Sequence, residues 1–156
     1  MLAASHILAG GAIGERVKSP YAALSLAFAS HFMLDAVPHV DAVTLFGLGG
    51  PKSSLAIAAD ALAGTALLLF LARRSKRIHW ILRCALAAII MDVIVVLPLW
   101  FPVTEAWPGL SHLCRLHGFI GWLSPDAGRL LGLATQAPVL ILSVFLLRRY
   151  CGRSSK

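Results

Sequence analysis

"SSLAIAADALAGTALLLFLA" occupies residues 53–72 and carries one charge, Asp60. A helix rises about 1.5 Å per residue, so roughly 20 apolar residues cross the hydrocarbon of a bilayer. The stretch has that length and that character, and it reads as a spanning helix. Composition points the same way. The chain of 156 residues is 58% apolar, with mean hydropathy +0.80 and only 13% charged residues. Soluble domains carry about 25% charged residues. The expected fold is an all-α integral membrane protein, a single domain over residues 1–156.

Working outward, residues 19–37, 79–99 and 128–147 read as further spans. The run 79–99 contains Arg83 and Asp92, and the last contains Pro138, which a membrane helix tolerates as a kink. The first segment, 2–15, is short: "LAASHILAGGAIG" covers only about 20 Å. It reads as a thin span, a tilted half-helix or a re-entrant segment, giving a bundle of four to five helices. Gly10, Gly11 and Gly14 suit close packing against a neighbouring helix. The first basic residue, Arg16, follows this apolar run, unlike a secretory signal, so the segment is read as mature structure. Two longer connections remain, 38–52 and 100–127. Within the second, "GLSHLCRLHGFIGWL" is expected to form an interfacial helix, with Trp100, Trp107 and Trp122 in an aromatic belt. Cys84, Cys114 and Cys151 show no CxxC spacing, which argues against a disulfide framework or a cysteine-based zinc site.

The net charge of +7 and pI near 10.0 would suggest nucleic acid in a soluble protein. Here topology accounts for them, and no nucleic-acid partner is expected. Arg16, Lys18, Arg73, Arg74, Lys76, Arg77, Arg148, Arg149, Arg153 and Lys156 fall on one side if the segments alternate. Lys52, Arg115 and Arg129 fall on the other. The positive-inside rule then puts the C-terminus in the cytoplasm and the N-terminus and both long loops outside an inner membrane. Asp35, Asp41, Asp60, Asp92, Glu105 and Asp126 belong to the outer half, whereas Glu15 sits at the inner end and reads as solvated.

Helix rise places the intramembrane polar groups in height. His6 lies roughly 15 Å from the level of Arg16, and His31 roughly 20 Å from Lys18 with Asp35 one turn higher. Asp60 lies roughly 20 Å from Arg73, and Asp92 roughly 22 Å from Arg77. Four segments thus bring ionisable groups to one layer. An aspartate at a membrane helix centre costs about 2.5–3.5 kcal/mol on insertion scales, so Asp60 and Asp92 should face inward with partners. His31 and Asp35 are spaced i,i+4 on one helix face. A bound divalent cation would neutralise several carboxylates at once, and histidine with carboxylate suits zinc. The metal-ligand set expected is His6, His31, Asp35, Asp60 and Asp92, with His39, His117 and His112 as further candidates. Metal-free alternatives remain at this stage: an ion pair for His31 and Asp35, packing acids or a proton path for Asp60 and Asp92. Asp41 reads as a loop residue, and His79 as interfacial beside Trp80.

"HILAGGAIG", then "SHFMLDAVPHVD" at 30–41 and isolated aspartates in later helices resemble the small inner-membrane metal-dependent hydrolases, often described as LexA-binding membrane-associated hydrolases. That family is distantly similar to zinc-dependent phospholipase C and the P1-type nucleases, which use a His-x-x-x-Asp pair on a helix as zinc ligands with a further histidine beyond. The matching positions are His31, Asp35 and His39. The pattern is sharp over residues 5–41. The "HRG-x-T-H-S" stretch of many larger members is missing, and "CRLHGF" with His117 is at best its remnant. The resemblance implies phosphoester hydrolysis, and the location implies a lipid or lipid-linked substrate, with membrane lipids as partners. No catalytic residue is assigned. A cation or proton transporter using the same acids, or a non-catalytic membrane protein, are the alternatives.

Overall fold

The computed structural model describes residues 1–41, 51–122 and 128–151, and among these the side chains of all but 51–54, 99–100, 105–106, 118–122 and 128–129. Asp126, Arg153 and Lys156, and the side chains of Lys52, Trp100, Glu105, Trp122 and Arg129, therefore lie outside the described part. Among the described residues six α-helices follow one another: α1 (Ala3–Arg16), α2 (Pro20–Asp35), α3 (Pro51–Ala72), α4 (Ile78–Trp100), α5 (Pro108–Trp122) and α6 (Gly128–Cys151). A short 3-10 turn, Pro102–Ala106, precedes α5, and there is no strand among the described residues.

Local chemistry accounts for the boundaries. Ser19 caps α2 by accepting from the Ala22 N–H, and Pro20 opens the helix, where its missing N–H costs nothing. Pro38 disfavours helical geometry just before it, and α2 stops at Asp35 with Ala36 as its cap. α6 runs past the expected residue 147 to Cys151, taking in Arg148 and Arg149. Arginine is a good helix former and its charge suits a helix C-terminus. α5 matches the helix expected in the second long connection.

Three helices, α3, α4 and α6, are long and apolar enough to cross a membrane, the mark of a membrane protein. Here the structure is more sparing than the four firm spans read from sequence. α2 was expected over 19–37 but has 16 residues. It falls short of the roughly 20 that a full crossing takes, because its capping serine and the proline after it trim both ends.

The short α1 is the hub. It packs against α2, α3, α4 and α6 and is buried nearly all round. Its glycines make that possible. A Cβ added to Gly10 would come within 2.6 Å of both Ala88 Cβ and the Cys84 carbonyl oxygen in α4. One turn on, a Cβ at Gly14 would meet the Trp80 carbonyl oxygen at 2.7 Å. Ile7, Leu8 and Ala12 complete a core with Leu68, Ile81 and Leu147. Ala23 and Ala27 pack α2 against Cys84 and Ala88 of α4.

The C-terminal end of α1 is closed by hydrogen bonds. Arg77 donates through Nη1 to the Glu15 carbonyl oxygen at 2.9 Å and through Nη2 to that of Val17 at 2.6 Å. These are orphan carbonyls of the helix end. Glu15, expected to be solvated, instead accepts from the Ser75 hydroxyl at 2.8 Å.

Candidate metal centre

At the opposite end of α1 the polar groups converge. The N-terminal turn of a helix has unsatisfied N–H groups, and side chains from distant helices supply two of the partners. The Ala3 N–H donates to Asp60 Oδ2 of α3 at 2.6 Å, and the Leu2 N–H donates to Gln136 Oε1 of α6 at 3.0 Å. These bonds hold the first turn of α1 at the level where His6 meets α2 and α4.

His6 from α1, His31 and Asp35 from α2, and Asp92 from α4 offer one ligand atom each, all within 4.8 Å of one another. His6 Nε2 is 3.1 Å from Asp35 Oδ1 and 3.9 Å from Asp92 Oδ2. His31 Nε2 is 3.2 Å from Asp35 Oδ2 and 3.9 Å from Asp92 Oδ1. Two atoms each about 2.0–2.1 Å from a tetrahedrally bound ion lie about 3.3–3.4 Å apart. The two pairs that involve Asp35 stand near that spacing and the two that involve Asp92 are wider, and the set could hold one ion. His6, His31 and Asp35 are buried, and Asp92 is partly so.

His31 settles the direction of its own lone pair. Its Nδ1 lies 2.9 Å from the Ala88 carbonyl oxygen, which can only accept, so Nδ1 carries the proton. A neutral His31 then turns a lone pair from Nε2 onto the Asp35 carboxylate. That nitrogen is buried with no hydrogen-bond partner, as are Asp92 Oδ2 and His117 Nε2. Acceptor facing acceptor is repulsive, and a cation between them removes the repulsion. A backbone carbonyl holding the far nitrogen is also the usual outer support of a metal-binding histidine.

His117 approaches from α5. Its Nε2 is 3.3 Å from Asp35 Oδ2 and 3.5 Å from Asp92 Oδ1, and its ring lies 5.2 Å from that of His31. The Asp35 carboxylate, and after it that of Asp92, push the His117 imidazole up to about 9 against the opposing effect of burial. Its side chain is 22% exposed and that of Asp92 23%, while those of His6 and His31 are fully enclosed, so His117 and Asp92 form the open side of the centre.

Comparison with family models, with curated proteins and with solved structures gives no match.

The remaining candidates stand apart. Asp60 shares the expected height but is spent on the α1 terminus. His39, held by the Val37 carbonyl oxygen at 2.8 Å, lies outside the set, and burial pushes its imidazole down. His112 points to Arg115 on an exposed face of α5. Asp41 and His79 are exposed. Gln136 went unremarked in the sequence. It donates through Nε2 to the Val40 carbonyl oxygen at 2.7 Å, tying the segment after α2, and through it the end of the helix that bears Asp35, to the same α6 position that holds Leu2. Its signal was an amide inside the apolar run that contains Pro138.

Proposed function

We propose that this chain is a membrane-embedded, metal-dependent hydrolase acting on a phosphoester of a lipid or lipid-linked substrate. The observation that carries the reading is the set of imidazole nitrogens and carboxylate oxygens turned on one another at 3.1–3.9 Å. Among the described residues no lysine or arginine pairs with Asp35 or Asp92; their partners are histidines and the Met1 ammonium, which is 3.0 Å from Asp35 Oδ1. Two nitrogens with two carboxylates match zinc, and the His31–Asp35 pair agrees with the resemblance to the membrane-associated hydrolases. When bound, such an ion supplies Lewis acidity toward a phosphoryl oxygen and makes water nucleophilic near neutral pH.

The chain's own groups do the rest. His6, His31, Asp35 and Asp92 hold the ion, Ala88 orients His31, and Asp60 and Gln136 fix the height of His6. His117, on the open side of the centre with Asp92, is placed to pass a proton to or from the substrate. In this reading four or five segments lie in the inner membrane, with α1 and α2 as thin spans. The basic ends face the cytoplasm and the centre faces outward.

A conducting path is the weaker reading. Beyond His6, α1 offers Ile7, Leu8, Gly10, Gly11 and Gly14 to its neighbours, pressed against the apolar side chains of Leu68, Ile81 and Ala88. Purified protein in detergent is expected to carry stoichiometric zinc by elemental analysis and to release phosphate or a phosphorylated headgroup from lipids. Metal-free protein with harmless Asp35→Ala and Asp92→Ala changes would sink the proposal.

A further inference from the structure

Each carboxylate of the centre has two oxygens, and they face different partners. Asp35 turns Oδ1 to His6 Nε2 at 3.1 Å, and Oδ2 to His31 Nε2 at 3.2 Å and His117 Nε2 at 3.3 Å. Asp92 repeats the division at wider spacings. Its Oδ2 lies 3.9 Å from His6 Nε2, and its Oδ1 lies 3.9 Å from His31 Nε2 and 3.5 Å from His117 Nε2. Two groups of donor atoms result. The enclosed group is His6 Nε2, Asp35 Oδ1 and Asp92 Oδ2. The open group is His31 Nε2, His117 Nε2, Asp35 Oδ2 and Asp92 Oδ1. One ion shared by His6, His31, Asp35 and Asp92 takes a single atom from each. It leaves out the second oxygen of each carboxylate and the His117 nitrogen, which is buried with no hydrogen-bond partner.

We infer that the centre takes a pair of divalent ions, with Asp35 and Asp92 bridging them and His117 completing the open position. The inference deepens the hydrolase reading and rests on its metal centre. Atoms that share a zinc ion lie about 3.3–3.4 Å apart, and three of the four histidine-to-carboxylate spacings in the open group are 3.2–3.5 Å. His31 points the same way independently: its side chain is fully enclosed, yet its Nε2 faces this group unpaired. The Met1 ammonium lies 3.0 Å from Asp35 Oδ1, on the enclosed side. Its charge opposes a cation there, so the enclosed position is the weaker of the two. His117 serves proton transfer while the open position is empty and holds the ion once it is filled. Two carboxylates offset half the charge of two divalent ions. The rest falls to an anion entering beside His117 and Asp92, and a phosphate ester supplies it. Paired ions about 3.5–4 Å apart clamp the attacking and leaving oxygens of an in-line phosphoryl displacement.

The test titrates the metal-stripped full chain in detergent with zinc by calorimetry, and with manganese(II) as a paramagnetic substitute. Zinc is expected to bind in two steps of unequal affinity. Manganese at saturation should give the electron paramagnetic resonance spectrum of an exchange-coupled pair, as ions about 3.5–4 Å apart do. His117→Ala alters a partly exposed side chain and should fold. It should weaken the tighter step by more than the roughly 10–100-fold that loss of an outer support costs, and spare the weaker step. His6→Gln should weaken the weaker step and spare the tighter one. A single step that both substitutions weaken, or a second ion that shows no coupling to the first, overturns the inference. One ion in a protein that hydrolyses a phosphoester overturns it while sparing the hydrolase reading. A coupled pair in a protein that hydrolyses no phosphoester upholds the two-ion site and removes the hydrolase.

Discussion

The two ends of α1 solve the same problem in opposite ways. At its C-terminal end, Arg77, Ser75 and Glu15 satisfy one another, and glycines let backbone press on backbone. At its N-terminal end Asp60 and Gln136 satisfy the backbone, yet among the side chains just beyond, His31 Nε2 and Asp92 Oδ2 are buried without a hydrogen-bond partner. One end is complete as the chain stands. The other gathers His6, His31, Asp35 and Asp92, a set that could hold a metal ion. Buried polar groups are paired in the great majority of cases, and unpaired atoms gathered in one small space are what the proposed metal site requires.

Changes at the two ends should separate sharply. The largest effect is expected from Asp35→Ala, which strips the central carboxylate from His6, His31 and His117. Breaking a buried charged set costs about 3–5 kcal/mol, and bound zinc should fall below stoichiometry in elemental analysis. A chelator is the next probe. An ion present at about 1,000 times its dissociation constant stabilises by about 4 kcal/mol. Chelation should therefore lower the melting temperature of the unaltered protein and leave that of Asp35→Ala unmoved; equal shifts would mean the ion sits elsewhere. At the closed end, Gly10→Val should destabilise by about 1–3 kcal/mol through overpacking. Material that still folds should keep its chelator response. Glu15→Gln should cost least, about 0.5–1.5 kcal/mol for one altered hydrogen bond, with no change in metal content. A chelator response lost in Glu15→Gln would erase the distinction between the ends.

The heights of the polar groups were legible in the sequence because helix rise is nearly constant. Counting from the basic ends brought His6, His31, Asp35 and Asp92 to one layer, and the structure joins those four. Counting gives height but not the face a residue takes when neighbouring helices turn. Asp60 has the height and meets the α1 terminus instead. His117 could be named only as a further candidate, since its approach depends on how α5 folds back over α4 and α2. Glu15 looked solvated because its partner Ser75 is sixty residues away. The length of α2 was overread because hydropathy continues through residues that Ser19 and Pro38 exclude from the helix.

The burial of α1 has a consequence for biosynthesis. This helix leaves the ribosome before every helix that encloses it, and at 14 residues it is too short to hold a membrane on its own. It must wait for α3 and α4 to form its walls and for α6 to deliver Gln136 to Leu2 and Val40. On the metal-centre proposal, acquisition of an ion would then be a checkpoint on finished assembly. A chain halted at residue 122 still contains His6, His31, Asp35, Asp92 and His117, yet it should retain no metal after insertion into vesicles.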